Sequence, residues 1–169
     1  SRFLPNVLTY TALKKLGIDD PALETRLTSV VNAGAQKLYA KQHADGGWGW
    51  WTTDQSDAFI TAYVLFGLNK AKEAGFAVTE SAVNSGAEFL KTQMVAPNQI
   101  DSTWQLNRQA FMLYALADSG YLVHSDVVQM YDARARLDTY AKAYLALAFG
   151  ELDPQDTRIK TLLSDINNA

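Results

Sequence analysis

Three stretches of this 169-residue chain, Ala62 to Leu68, Ala110 to Ala117 and Ala143 to Phe149, are apolar on nearly every side when wound as helices. A helix without a polar face has to be enclosed by other helices. Between these stretches run segments with one apolar stripe at spacings of three and four. The stripes are Leu27, Val30, Val31, Gly34 and Leu38, then Ala82, Gly86, Phe89, Leu90 and Met94, then Ile159, Leu162, Leu163 and Ile166. A weaker stripe occupies Val127, Val128 and Tyr131. Enclosed and one-faced helices thus take turns along the chain, as two concentric layers of helices joined into hairpins require. No segment alternates apolar and polar residues in the manner of a half-buried strand. The pattern predicts an all-α fold, and the length predicts a single domain over residues 1–169.

Local signals agree with that reading. Asp20 and Pro21 mark an N-cap followed by proline at the first helical position, Thr79 is a candidate cap, and Asp153-Pro154 precedes the last helix. Gly17, Gly75 and Gly120 stand where helices end, positions that favour glycine. A repeat runs through Thr61-Ala62-Tyr63, Gln109-Ala110-Phe111 and Lys142-Ala143-Tyr144: a polar residue, alanine, an aromatic, then a leucine-rich turn. The repeating unit reads as an αα-hairpin. The longest break, Val95 to Thr103, contains Pro97, Asn98 and Asp101 and is expected to form a surface loop.

The corner between the first hairpins is unusual. Gln42-His43-Ala44-Asp45-Gly46-Gly47-Trp48-Gly49-Trp50-Trp51 places three glycines and three of the four tryptophans in ten residues. Gly46, Gly47 and Gly49 are expected to supply positive φ, and Asp45 to bond nearby amides. The three indoles are expected to clasp helix ends rather than to stack on a ligand. Gln42 is expected to cap the backbone of an adjoining helix. In Asp54-Gln55-Ser56-Asp57, both carboxylates fit a helix start, with Asp54 as cap and Asp57 reaching back.

Composition removes several function classes. The formal charge is -3 and no cluster of Lys and Arg appears, which argues against a nucleic-acid partner. With no cysteine there is no disulfide, thiolate metal site or Cys nucleophile within these residues. No run is long and apolar enough for a membrane span, so no membrane contact is expected. The two histidines, His43 and His124, lie in different segments and read as exposed or locally bonded, so neither a metal site nor a cofactor is expected. Arg136 and Asp138 are candidates for an exposed ion pair. Tyr63, Tyr114 and Tyr144 fall one in each repeat and are expected to share a packing task. The catalytic constellation of an enzyme is missing. The start at Ser1-Arg2-Phe3 lacks the zones of a signal peptide, and a helix is already under way at Arg2, so the chain is expected to begin inside a larger protein.

Several of these stretches resemble one family. The corner, with Asp57-Ala58-Phe59-Ile60-Thr61-Ala62-Tyr63-Val64-Leu65 after it, is similar to the thioester-containing domain of bacterial α2-macroglobulin-like proteins. Ala135-Arg136-Leu137-Asp138-Thr139-Tyr140-Ala141-Lys142-Ala143-Tyr144-Leu145 also resembles that domain, and Ser1-Arg2-Phe3-Leu4-Pro5 resembles the residues following the family's Cys-x-Glu-Gln thioester motif. The resemblance implies a partial α/α toroid with roughly the first two-thirds of its hairpins, and a thioester just before residue 1. It also implies a periplasmic or secreted parent that traps proteases, with proteases and the parent's other domains as partners. The fragment itself is expected to shape and shield the thioester and, if truncated, to self-associate. In complement relatives a histidine after the corner catalyses transfer to hydroxyls. Here Trp50 to Ser56 contains none, so the resemblance implies attack by amines. The same corner also resembles repeats in terpenoid cyclases. That makes an α/α-toroid cyclase or lyase the alternative, although the Asp-x-Asp-Asp acid of the cyclases is missing. A helical-repeat interaction module is a third reading.

Overall fold

A computed structural model describes residues 2–51, 53, 55–121 and 123–169, and every regular element among them is helical. The chain forms two compact units, residues 1–86 and residues 87–169. The first holds α1 (Phe3–Lys15), α2 (Pro21–Tyr39), α3 (Ala58–Glu73) and the first half of α4 (Glu80–Thr92). The second holds the rest of α4, then α5 (Thr103–Asp118), α6 (His124–Asp132), α7 (Thr139–Leu152) and α8 (Thr157–Asn167). Short 3-10 turns occupy Pro97–Gln99 and Arg134–Arg136.

In the first unit α1 packs on both α2 and α3. Its Phe3, Leu4 and Val7 meet Leu27, Val31 and Ala35 of α2 and Ala62, Leu65 and Leu68 of α3 in one core. Two glycines make room for Phe3. A Cβ on Gly34 would stand 2.9 Å from the Phe3 ring, and one on Gly67 would stand 3.4 Å from its other side. Asp20 caps α2 by accepting a hydrogen bond from the Leu23 amide at 2.9 Å, and Pro21 begins the helix. Gly17, Gly75 and Gly120 adopt φ of +64°, +89° and +84° as they end α1, α3 and α5, a region costly for any other residue.

In the second unit α7 packs against α5, α6 and α8. Leu106, Leu113, Leu116, Met130, Leu145, Phe149 and Leu162 are fully buried there. Apart from half-buried Arg108, every residue of α5 from Leu106 to Ala117 is buried. The other two segments expected to be enclosed behave differently. Within them Tyr63 is 44% and Leu147 is 48% exposed, and just before them Phe59 of α3 and Tyr140 of α7 are 37% and 57% exposed. Within its unit each of these helices buries one side and leaves an apolar side open. The stripes narrow as well: Val30 of α2 and Leu163 of α8 are exposed, because a helix touching one neighbour covers less than the full apolar arc that its sequence offers.

The break at 95–103 is a pinned turn. Pro97 and Ile100 are buried. Gln109 of α5 accepts from the Val95 amide at 3.1 Å and donates to the Val95 carbonyl at 2.6 Å. Arg136 donates to the carbonyls of Pro97, Ile100 and Asp101. That use of its guanidinium replaces the expected pair with Asp138, whose carboxylate instead accepts from the Asn107 amide at 2.6 Å.

Candidate functional site

The corner joins α2, α3 and α4 within the first unit. Trp48 is its pin: the indole is 2% exposed, and its Nε1 donates to the Leu38 carbonyl near the end of α2 at 2.8 Å. The ring lies against Gly86 of α4, where a Cβ would come within 2.6 Å of it. The Trp48 amide donates to Thr61 Oγ1 at 2.9 Å, and the Asp57 amide donates to the Trp48 carbonyl at 2.9 Å, so both main-chain groups are held by α3. Thr61 is fully buried and also donates to the Asp57 carbonyl at 2.8 Å. Buried polar groups have to be paired in this way.

Gln42 uses its side-chain amide as a bridge, donating to Gly46 O and to Ala82 O of α4, both at 2.8 Å. It ties the corner to the first turn of a neighbouring helix instead of capping a helix end. Gly46 alone in the corner has positive φ, at +90°, and any side chain there would run into the Ser85 carbonyl. Gly49 is needed for a different reason: its Cβ would stand 2.7 Å from Gln55 O. Gly47 donates its amide to Asp45 Oδ1 at 3.0 Å, and its carbonyl accepts from the His43 amide at 2.9 Å. The expectation of positive φ at all three glycines is thus corrected to one, with close approach explaining Gly49.

Trp50 and Trp51 do not share the clasp. They are 78% and 72% exposed, since a single indole fills the space between Leu38 and Gly86. The repeat tyrosines also diverge: Tyr114 is buried and stacks on Tyr144 with centroids 5.9 Å apart, whereas Tyr63 is exposed. Asp57 is the N-cap of α3, accepting from the Ile60 amide at 2.9 Å. Asp54 lies outside the described residues.

Three polar side chains that the sequence scatters over 43–56 are brought together. Ser56 Oγ donates to Asp45 Oδ1 at 2.7 Å, and His43 Nδ1 stands 2.9 Å from Ser56 Oγ. The Ser56 proton is committed to the carboxylate, so His43 Nδ1 is the donor to Ser56. Nε2 is buried without a hydrogen-bond partner among the described residues. The Ser56 hydroxyl, the Gly47 amide and the nearby imidazole hold the Asp45 carboxyl below the usual carboxylate range, against a smaller opposing effect of desolvation. The order matters chemically. In a nucleophilic triad the imidazole takes the serine proton and the carboxylate orients the imidazole; here serine sits in the middle and receives a hydrogen bond from histidine. A lowered carboxyl pKa makes Asp45 a weaker base, so Ser56 is held as a structural link. His124, at the start of α6, takes no part.

Thr61 and Ser56 are the residues that sequence reasoning left without a role. Thr61 was visible as the polar first position of the repeat, shared with Gln109. Ser56 gave no signal, since its partners stand eleven and thirteen positions away. Among the described residues no group of three His, Cys, Asp or Glu is placed to hold a metal ion, and no helix is long and apolar enough to cross a membrane.

This helical architecture recurs in solved structures whose thioester-containing domain is an α/α toroid. Trypsin-activated alpha-2-macroglobulin from Escherichia coli matches 99% of this chain with a TM-score of 0.77, at 22% identity and over 12% of its own length. Salmonella alpha-2-macroglobulin reacted with methylamine matches 97% of the chain with a TM-score of 0.75, at 21% identity and over 11% of its length. Residues 1–123 match the A-macroglobulin TED domain, and the chain belongs to that family. Alpha-2-macroglobulin of Thermotoga maritima is 36% identical over 123 residues, which cover 72% of this chain. Those residues amount to 8% of the relative's length, so the chain spans a small section of such proteins.

Proposed function

We propose that this chain is an incomplete section of the thioester domain of a protease-trapping protein, and that the thioester-forming Cys and Gln lie just upstream of residue 1. The observation that carries the reading is the family match over residues 1–123, within which Gln42 and Trp48 bond the corner to its neighbouring helices. The section has a non-enzymatic role: it shapes and shields a bond that water would otherwise hydrolyse. Its parent is periplasmic or secreted, and its partners are the trapped proteases and the parent's other domains. Two relatives support the chemistry, one activated by trypsin and one reacted with methylamine.

A cyclase reading finds less support. Of the corner carboxylates, Asp45 is bonded to Ser56 and Gly47, and Asp57 caps α3. Neither is left as a free acid facing an apolar cavity. No histidine occurs from Trp50 to Ser56, and the one at position 43 already donates to Ser56. Aminolysis is therefore the favoured reaction of the parent's thioester. The test has two parts: reading the encoded residues upstream of Ser1 for Cys-x-Glu-Gln, and treating the full-length protein with labelled methylamine or glycerol. Methylamine labelling in clear excess is expected. Absence of the motif would sink the domain reading, and equal glycerol labelling would sink the aminolysis reading alone.

A further inference from the structure

A cleft of about 470 Å³ opens in the first unit between the first turn of α1 and α2, and reaches Lys41, the residue before the corner. Its volume falls in the range of small-molecule sites. The two ends of the cleft differ in chemistry. Along α2, Val30, Ala33 and Gly34 line one end and Lys37 lines the other, with Leu38 beside it and Lys41 just past the helix end. From Val30 to Lys37 the helix rises about 10 Å. The ring of Phe3, 5% exposed, forms the floor, packed into the space that a side chain on Gly34 would take.

The polar end is unbalanced. Arg2, Lys37 and Lys41 have no ion-pair partner among the described residues, and no carboxylate lines the cleft. α1 begins at this end with no side-chain cap bond from Arg2 and no acidic residue in its first turn, and its partly positive terminus offsets the partly negative end of α2, so the excess charge is that of the three side chains. Asn6 supplies a neutral amide beside it. Val30 is 44% exposed at the other end, where an apolar body would remove it from water.

We propose that this cleft binds a single-chain amphiphile with a carboxylate head, the head set among Arg2, Lys37 and Lys41 and the tail laid over Phe3 and Gly34 toward Val30. The charge decides the head, because three unpaired cations favour one anion and repel a cationic head. The apolar run decides the tail, because each methylene placed there leaves water, whereas an acidic peptide would leave the Val30 end poorly covered. The proposal uses none of the protease-trap chemistry, but its Arg2 end adjoins the residue where that reading attaches the upstream segment.

Binding is measured by calorimetry on the full-length natural protein with dodecanoate below its micellar concentration. Butyrate and dodecyltrimethylammonium serve as head-only and opposite-charge probes. Saturable dodecanoate binding is expected, weakened on the order of tenfold in K37E/K41E and also weakened in Val30→Glu, which buries a carboxylate against the tail. These side chains are exposed, so the melting temperature should be unchanged. If the double charge reversal disturbs folding, Lys37→Ala with Lys41→Ala replaces it. Wild-type affinity in these variants would overturn the proposal, as would equal binding of butyrate or of dodecyltrimethylammonium. Displacement of dodecanoate by a glutamate-rich peptide of higher affinity would overturn it as well, in favour of an acidic polypeptide.

Discussion

At the scale of single residues, burial separates tryptophans that look alike in sequence. Trp48 and Trp50 stand two positions apart, yet one is 2% and the other 78% exposed. Trp48→Ala leaves a cavity between α2 and α4 and is expected to cost about 3–5 kcal/mol. Trp50→Ala is expected to stay within about 0.5 kcal/mol. Chemical unfolding of the two variants checks the contrast, and similar losses would show that both indoles are part of the clasp. Asp45 gives the corner a pH dependence. Its carboxyl is lowered in the folded chain by Ser56 first and then by the Gly47 amide. Its stabilising contribution is therefore complete above the ordinary carboxylate pKa, and is lost as pH falls through the lowered folded value. Trp48 emission followed through acid unfolding should show this dependence. Asp45→Asn should flatten it, and an unchanged acid profile would remove Asp45 from the account.

Among the elements, the repeat carries more than hairpin periodicity. Its polar first position, Thr61 in one unit and Gln109 in the other, holds the backbone that precedes the helix, at Trp48 and at Val95 respectively. Lys142 fills the third instance with a charge. Thr61→Val keeps the shape but strips the Trp48 amide of its acceptor, and Gln109→Leu strips both main-chain groups of Val95. Thr61→Val is expected to cost about 1–3 kcal/mol, the penalty for leaving buried backbone unpaired, and Gln109→Leu about 1 kcal/mol, since Val95 is itself exposed. Thermal melts should show both losses, whereas Lys142→Met should melt close to wild type. A near-neutral Thr61→Val would mean that Trp48 finds another acceptor. Helix starts were easy to read where a short polar residue precedes proline or an apolar run, as at Asp20. The start of α3 was harder, because Asp54 and Asp57 both fit the pattern, and only the bond to the Ile60 amide identifies Asp57 as its cap.

For the whole molecule, the apolar surface left open on α3 by Phe59 and Tyr63 and on α7 by Tyr140 and Leu147 predicts association of the isolated 169-residue chain. Sedimentation at increasing concentration should show a rising average mass, and a sharp monomer at every concentration would contradict it. The family and its helical class were legible from local pattern, since hydrophobic period, caps and the glycine-tryptophan corner depend on residues a few positions apart. Much of the corner's bonding was not. Nothing in the order of residues shows that Gln42 reaches Ala82, that Gly86 receives the Trp48 ring, or that Ser56 joins His43 to Asp45. By itself the sequence determined which segments become helices, and that Ala110 to Ala117 has no side fit for water. Tertiary structure alone decided which tryptophan is buried, which glycine needs positive φ and which apolar sides stay uncovered, because each depends on the distance to a backbone far away along the chain.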